Sequence, residues 1–253
     1  MSETPALYAH PMTWAPAFLS NPERFMAFSR WAAPMFGAVA AILGIAGLWL
    51  GFGAPPDYQQ GETVRIMFIH IPAAWMCEFI YACLTVASFL SLVFRHALAD
   101  AAARAAAPLG AAFTFLALVT GSLWGKPMWG TWWVWDARLT SVLVLLLIYG
   151  AYMALRAALD DEAKGARAAA ILALVGAVNL PIIHYSVTWW NTLHQGASVF
   201  RAGGSALAPV FLTPVLLMVG AYMSAFGSLW LVRIRGEVWR RRADAAALRA
   251  ARP

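Results

Sequence analysis

Two histidines and one run of tryptophans are the residues best suited to chemistry in this chain of 253 residues. His70 and His194 each lie beside aromatic residues, and residues 129–136 hold four tryptophans followed by Asp136. Imidazole nitrogens bind metals, and indole rings cover flat apolar ligands. This combination indicates a site for a large, flat, apolar ligand that carries a metal ion.

The spacing of the tryptophan run suggests how it is presented. Read as a helix, Trp129, Trp132, Trp133 and Asp136 fall at positions i, i+3, i+4 and i+7. Three indoles and one carboxylate would then share a helix face, with Trp135 turned away. Such a stripe would suit a large, flat, apolar partner.

Haem fits these residues better than zinc does. Haem needs axial nitrogen ligands, apolar cover for the porphyrin and cationic partners for its propionates. The histidines and tryptophans supply the first two, and four basic residues near them could supply the third: Arg65, Lys126, Arg138 and Arg201. A zinc site would need further histidine, cysteine or acidic ligands at suitable spacing. Cys77 and Cys83 form no CxxC or CxxCH pattern, so covalent attachment of haem to them is not expected.

Composition places the whole chain in a membrane. Hydrophobic residues make up 62% of it and charged residues only 12%. Runs of about 20 apolar residues predict transmembrane helices. Six such runs occur, at residues 32–52, 71–94, 107–123, 139–155, 168–188 and 207–232. We predict an all-α integral membrane protein, a bundle of six transmembrane helices, with the fifth kinked or locally opened by Pro181.

Basic residues predict the orientation, because loops rich in lysine and arginine stay in the cytoplasm. Fourteen of the eighteen lie on one side: Arg24, Arg30, Arg95, Arg104, Arg156, Lys164, Arg167, Arg233, Arg235, Arg240, Arg241, Arg242, Arg249 and Arg252. Both termini should therefore be cytoplasmic, and the tryptophan-rich loop, about residues 124–138, should lie on the outer side. The predicted parts are an N-terminal segment (1–31), the membrane domain (32–232) and a basic cytoplasmic tail (233–253). The tail is interpreted as topological and lipid-facing, with no nucleic acid as partner.

Tryptophan is common at every membrane interface, so a single indole or histidine there needs no ligand to explain it. The uneven distribution of the tryptophans indicates a site, because the predicted outer side holds most of them. They are Trp75, Trp124, Trp129, Trp132, Trp133, Trp135, Trp189 and Trp190. An ordinary aromatic belt would be more even on the two faces.

Three motifs together resemble the cytochrome c maturation protein C family of the bacterial system I pathway, within the haem handling protein superfamily. The run WGTWWVWDARLT (129–140) resembles the superfamily's WWD signature, and the histidines lie in HIPAAW (70–75) and WWNTLHQG (189–196). The resemblance covers the six predicted spans. It implies that His70 and His194 are axial ligands of the haem iron. The other residues it implies for haem binding are Trp129, Trp132, Trp133, Trp135, Asp136, Arg138, Trp189 and Trp190.

The resemblance also implies a function. A protein of this family would hold haem b non-covalently, in transit, at the periplasmic face of the bacterial inner membrane. It would present the haem to a periplasmic chaperone, cytochrome c maturation protein E. Further implied partners are the small membrane protein D and the ATP-binding-cassette components A and B of the pathway. The chain has no P-loop pattern, so it would be a delivery protein and assembly factor rather than an enzyme.

Two other functions remain open, and so does the role of one acid. An electron-transferring membrane cytochrome with permanent haem would also be helical and rich in histidine and aromatic residues. A transporter subunit that moves haem across the membrane is the other alternative. Glu78 lies inside the second span, where an acid is costly. It lies either beneath the histidine pocket or, protonated, between helices.

Overall fold

The computed structural model describes residues 21–196, 198–201 and 203–251. Every regular element that it contains in these residues is a helix. In chain order they are α1 (Pro22–Gly53), a short 3-10 helix (Glu62–Ile66), α2 (Met67–Phe94), α3 (Ala97–Trp129), α4 (Ala137–Ala158), α5 (Glu162–Gly176), α6 (Asn179–Trp189) and α7 (Pro209–Ala250). Six stretches are long and apolar enough to cross a membrane, and α5 and α6 together form the fifth. The predicted all-α bundle of six spans is therefore confirmed.

The first and last helices extend well past the predicted spans. The side chain of Asn21 accepts a hydrogen bond from the backbone N–H of Glu23 (2.8 Å), so α1 begins ten residues before position 32. At about 1.5 Å per residue, α7 is roughly 63 Å long, about twice the thickness of a hydrocarbon core. The basic residues from 233 to 250 continue this helix.

The fifth span is interrupted, as the proline predicted. A proline has no N–H for the carbonyl four residues before it, and its ring crowds that carbonyl. Helix α5 ends at Gly176 and α6 begins at Asn179, so the break lies just before Pro181. The Ala177 carbonyl, left without its usual donor, accepts a hydrogen bond from the N–H of Leu180 instead (3.1 Å).

Two tyrosines fill the centre of the bundle against glycines on neighbouring helices. Tyr149 donates a hydrogen bond to the Cys77 carbonyl (3.0 Å), and Tyr81 donates one to the Ala173 carbonyl (3.1 Å). A Cβ atom added at Gly110 would lie 2.1 Å from the Tyr149 ring. These glycine contacts let α2, α3, α4 and α5 approach closely, which is how helices in lipid gain packing energy.

Ion pairs connect three helices at one end of the bundle, where α3 begins. Asp100 on α3 accepts two hydrogen bonds from the Arg156 guanidinium of α4 (2.6 and 3.0 Å) and a third from Arg241 of α7. The Arg156 side chain is 5% exposed and that of Asp100 14%. Bidentate pairing of this kind fixes both position and orientation.

The Asp100→Asn substitution should lower the melting temperature of the protein clearly. It leaves the buried Arg156 without its carboxylate, and removing one partner of a buried ion pair costs about 3 to 5 kcal/mol. The matched control is Glu23→Gln, which breaks the exposed pair between Glu23 and Arg242. Exposed pairs contribute about 1 kcal/mol or less. Thermal unfolding in detergent measures both, and equal melting of the two variants would contradict the role given to Asp100.

Candidate functional site

Residues 130–136 form a loop between α3 and α4, so the helical interpretation of the indole spacing is wrong. Gly130 has a φ of 77°, a left-handed conformation that favours glycine, and it ends α3 directly after Trp129. Asp136 then caps the next helix, because its Oδ1 accepts a hydrogen bond from the N–H of Leu139 (2.7 Å). Two strong helix boundaries lie within eight residues, and the spacing of the indoles alone could not reveal them.

Two of the four indoles are exposed to solvent or lipid, and the other two are half-buried against the protein. Trp132 is 55% exposed and Trp135 is 74% exposed. Trp133 is half-buried, with its ring edge-on to Trp135 and its Nε1 atom buried without a hydrogen-bond partner among the described residues. Trp129 is half-buried at the end of α3. The exposed pair is free to meet a partner, and the other two face inward.

His70, near the start of α2, is held in one tautomer by α3. Its Nδ1 lies 3.1 Å from the Ala117 carbonyl oxygen and 3.1 Å from the Thr120 hydroxyl oxygen. That hydroxyl donates its own hydrogen to the Leu116 carbonyl (2.6 Å), so both neighbours of Nδ1 accept hydrogen bonds. We assign the proton to Nδ1, which leaves the lone pair of Nε2 free to bind a metal.

His194 lies in the loop after α6 and is placed by a different set of contacts. The Thr192 hydroxyl accepts a hydrogen bond from the backbone N–H of His194 (3.1 Å) and donates one to the second oxygen of Asp136. Burial and the nearby charge of Arg138 lower the pKa of His194 to about 4, and Asp136 offsets part of this effect. The imidazole is therefore neutral at pH 7, the form that binds metals.

The two histidines meet one helix, because both contact the last turns of α3. The His70 ring lies edge-on to Trp124, with centroids 5.6 Å apart, and the His194 ring lies 5.1 Å from Trp129. Across the described residues, no group of three or more histidine, cysteine or acidic side chains could hold a metal ion.

We call this part of the molecule the tryptophan-rich end; it contains residues 54–70, 124–138, 189–196 and 198–201. Gln60 joins the first segment to α3, because its Oε1 accepts a hydrogen bond from Trp124 Nε1 (2.9 Å). Trp189 and Trp190 begin the third segment and are about half exposed. In the described residues, four buried side-chain nitrogen or oxygen atoms lack a hydrogen-bond partner, and three of them lie here. They belong to Arg65, Trp133 and His194.

Arg138 connects the tryptophan loop to the helix that leads to His194. Its Nε donates to the Ser186 hydroxyl (3.0 Å), and its Nη2 donates to the carbonyls of Ile183 (3.1 Å) and His184 (3.2 Å). The guanidinium is also within electrostatic range of Glu78, which is half-buried on α2. A role for Arg138 at the haem propionates stays a prediction.

The other cations predicted to meet propionates also lie at this end with contacts of their own. Arg65 pairs with Glu62 (2.7 Å), Lys126 donates to the Gly130 carbonyl (3.0 Å), and Arg201 donates to the Gly204 carbonyl (3.1 Å). Each of these contacts is at the surface or partly buried. Their propionate role likewise stays a prediction.

Thr120, Thr192 and Gln60 are polar residues of the site that the sequence reasoning missed. Each acts through a hydrogen bond to a residue far away in the chain or to backbone. The only available signal was position, since Thr192 lies two residues before His194 within the WWNTLHQG segment.

Comparisons with known proteins place the chain among haem exporter components. The family model described as heme exporter protein C matches residues 16–249. The heme exporter protein C of Bradyrhizobium diazoefficiens is 58% identical over 224 residues, 88% of this chain and 85% of the relative. That of Escherichia coli K12 is 48% identical over 87% and 89%. That of Paracoccus denitrificans is 45% identical over 88% and 93%.

The Gly121→Ala substitution should disturb His70 without disturbing the fold. A Cβ atom at position 121 would lie 3.0 Å from His70 Cε1, so the imidazole must shift. Changes that displace a ligand through its surroundings commonly weaken metal binding by about 10- to 100-fold. Titration of the purified protein with haem measures this. The control is Gly150→Ala on α4, where a Cβ meets nothing within 4 Å; equal haem affinity in both variants would exclude His70 from the site.

Proposed function

This chain belongs to the heme exporter protein C family, and we propose that it binds haem at the tryptophan-rich end and presents it to a haem chaperone. Membership gives the chain a role in haem handling for cytochrome c biogenesis, as a multi-pass membrane protein of a haem exporter. Binding through His70 and His194, and transfer to the chaperone, are the finer proposal argued below.

The observation that carries the proposal is the convergence of two metal-competent imidazoles on the indole-bearing end of one helix. His70 has a free Nε2 lone pair, and His194 is neutral. The porphyrin of haem supplies four nitrogen ligands, so two histidines complete a six-coordinate iron. Trp124 and Trp129, which touch the two histidines, offer apolar cover beside the ring.

The position of the site favours delivery over permanent binding. Both histidines lie at the end of the bundle rather than in the middle of the spans, and His194 is on a loop. A membrane cytochrome that keeps its haem gains by enclosing it between helices. Here the indoles of Trp132 and Trp135 are exposed next to the site, which leaves a surface for another protein to approach.

We propose that this end faces the periplasm and that the chain lies in the bacterial inner membrane. Only four of the eighteen basic residues belong to the tryptophan-rich side, and the positive-inside rule leaves such a side outside the cytoplasm. The bound ligand would be haem b, held non-covalently as cargo. The chaperone would be cytochrome c maturation protein E, with protein D and components A and B as membrane partners.

The His70→Ala and His194→Ala variants should each lose or shift the haem absorption of the purified protein. Removing one axial ligand changes both the affinity and the spin state of the iron. His184→Ala is the control, because its side chain is exposed on α6 and only its carbonyl serves Arg138. Spectra of oxidised and reduced protein decide the matter. An unchanged spectrum in both histidine variants would overturn the axial assignment.

A variant with both Trp132→Ala and Trp135→Ala should bind haem normally but load the chaperone less. Both indoles are exposed, so their loss removes a docking surface while the half-buried Trp129 and the histidines stay in place. The measurement compares haem bound to this protein with haem transferred to the chaperone in cells. A parallel loss of both would instead assign the exposed indoles to haem retention. Trp239→Ala, an exposed tryptophan on the basic part of α7, is the control.

A further inference from the structure

We infer that Thr192 is a positioning residue whose hydroxyl holds His194 in the place from which it binds haem. The inference rests on the proposed function, which makes His194 a haem ligand. It adds a residue that acts through His194 and touches no haem itself.

The hydroxyl lies between two elements of the site. It accepts a hydrogen bond from the backbone N–H of His194 (3.1 Å) and donates one to the carboxylate of Asp136. The other carboxylate oxygen caps α4 through the N–H of Leu139 (2.7 Å). Through these hydrogen bonds, the backbone of His194 is connected to the first turn of α4, a membrane-spanning helix. A hydrogen bond to a carboxylate is charge-assisted and so stronger than a neutral one.

His194 needs this support more than His70 does. His70 lies on a helix, and its Nδ1 contacts the Ala117 carbonyl and the Thr120 hydroxyl. His194 lies in a segment without regular secondary structure, and its buried Nδ1 has no hydrogen-bond partner among the described residues. Among the described residues, two contacts set the position of His194. Its ring packs against Trp129, and its backbone N–H donates a hydrogen bond to the Thr192 hydroxyl.

The chemistry of threonine suits this place. Its hydroxyl can donate one hydrogen bond and accept others at the same time, which valine of equal shape cannot do. Serine keeps the hydroxyl and loses only a methyl group. The pair of substitutions therefore separates hydrogen bonding from packing. Thr188 offers a matched control, because its hydroxyl donates to the Tyr185 carbonyl (2.8 Å) on the exposed side of α6.

The experiment compares wild type, Thr192→Val, Thr192→Ser and Thr188→Val as full-length protein in detergent. Haem loss is measured as transfer to excess apomyoglobin. Thr192→Val should lose haem about 10- to 100-fold faster, the usual effect of removing support from a metal ligand, with Thr192→Ser and Thr188→Val near wild type. Electron paramagnetic resonance of the oxidised protein should show an altered low-spin haem signal in Thr192→Val alone.

A second readout needs no haem. Hydrogen exchange of the segment 190–196 in the haem-free protein should be faster in Thr192→Val than in wild type, because the His194 amide has lost its acceptor. Equal exchange and equal haem loss in these two proteins would overturn the inference. Absence of haem binding by the wild type would overturn the proposed function instead, while exchange would still report whether Thr192 orders the loop.

Asp136→Asn provides an independent variant should Thr192→Val fail to fold. An asparagine has one side-chain oxygen, so it can cap α4 or accept from Thr192 but cannot do both as the carboxylate does. Asp136→Asn should lose haem faster than wild type, as Thr192→Val does. Asparagine is also a good capping residue, so α4 keeps its cap. Haem loss at the wild-type rate in Asp136→Asn would count against the link.

Discussion

The last turns of α3 are the part of the molecule on which the site depends, because both candidate ligands contact them. His70 reaches them from α2 and His194 from the loop after α6, two places that are 124 residues apart in sequence. The contact with α2 is close enough that position 121 must be glycine or force His70 to move. A fixed helix end is needed here, since the rings of both histidines pack against it from separate parts of the chain.

Helix α3 is itself fixed along its length. At its start, Asp100 joins it to α4 and α7, and near its middle Gly110 receives the ring of Tyr149. Both kinds of contact suit a membrane, where apolar side chains gain little by leaving lipid. Helices there are held together by close backbone contact and by well-paired charges. The ion pairs lie at the end opposite the histidines, so the charges that stabilise the bundle are kept apart from the site.

The sequence predicted the six spans and a kink or local opening of the fifth at Pro181, because each has a local signal in hydropathy or residue type. It failed where two signals competed. The spacing of the indoles in residues 129–136 favours a helix, but Gly130 and Asp136 end one helix and begin another. Thr192 and Thr120 could not be found, because their importance comes from hydrogen bonds to partners 56 and 50 residues away, and no periodicity encodes such contacts.

The unequal support of the two histidines bears on how haem could be passed on. One candidate ligand is on a helix, with its tautomer fixed by the neighbouring backbone, and the other is on a loop held through one hydroxyl. If both were equally rigid, release would require breaking two strong attachments at once. Under the proposed function, His194 is the candidate ligand with the weaker support, so it is the one from which haem would be released first. The loop with the exposed Trp132 and Trp135 contains Asp136, which links those indoles to Thr192, so contact at the docking surface and the hold on His194 share a single carboxylate.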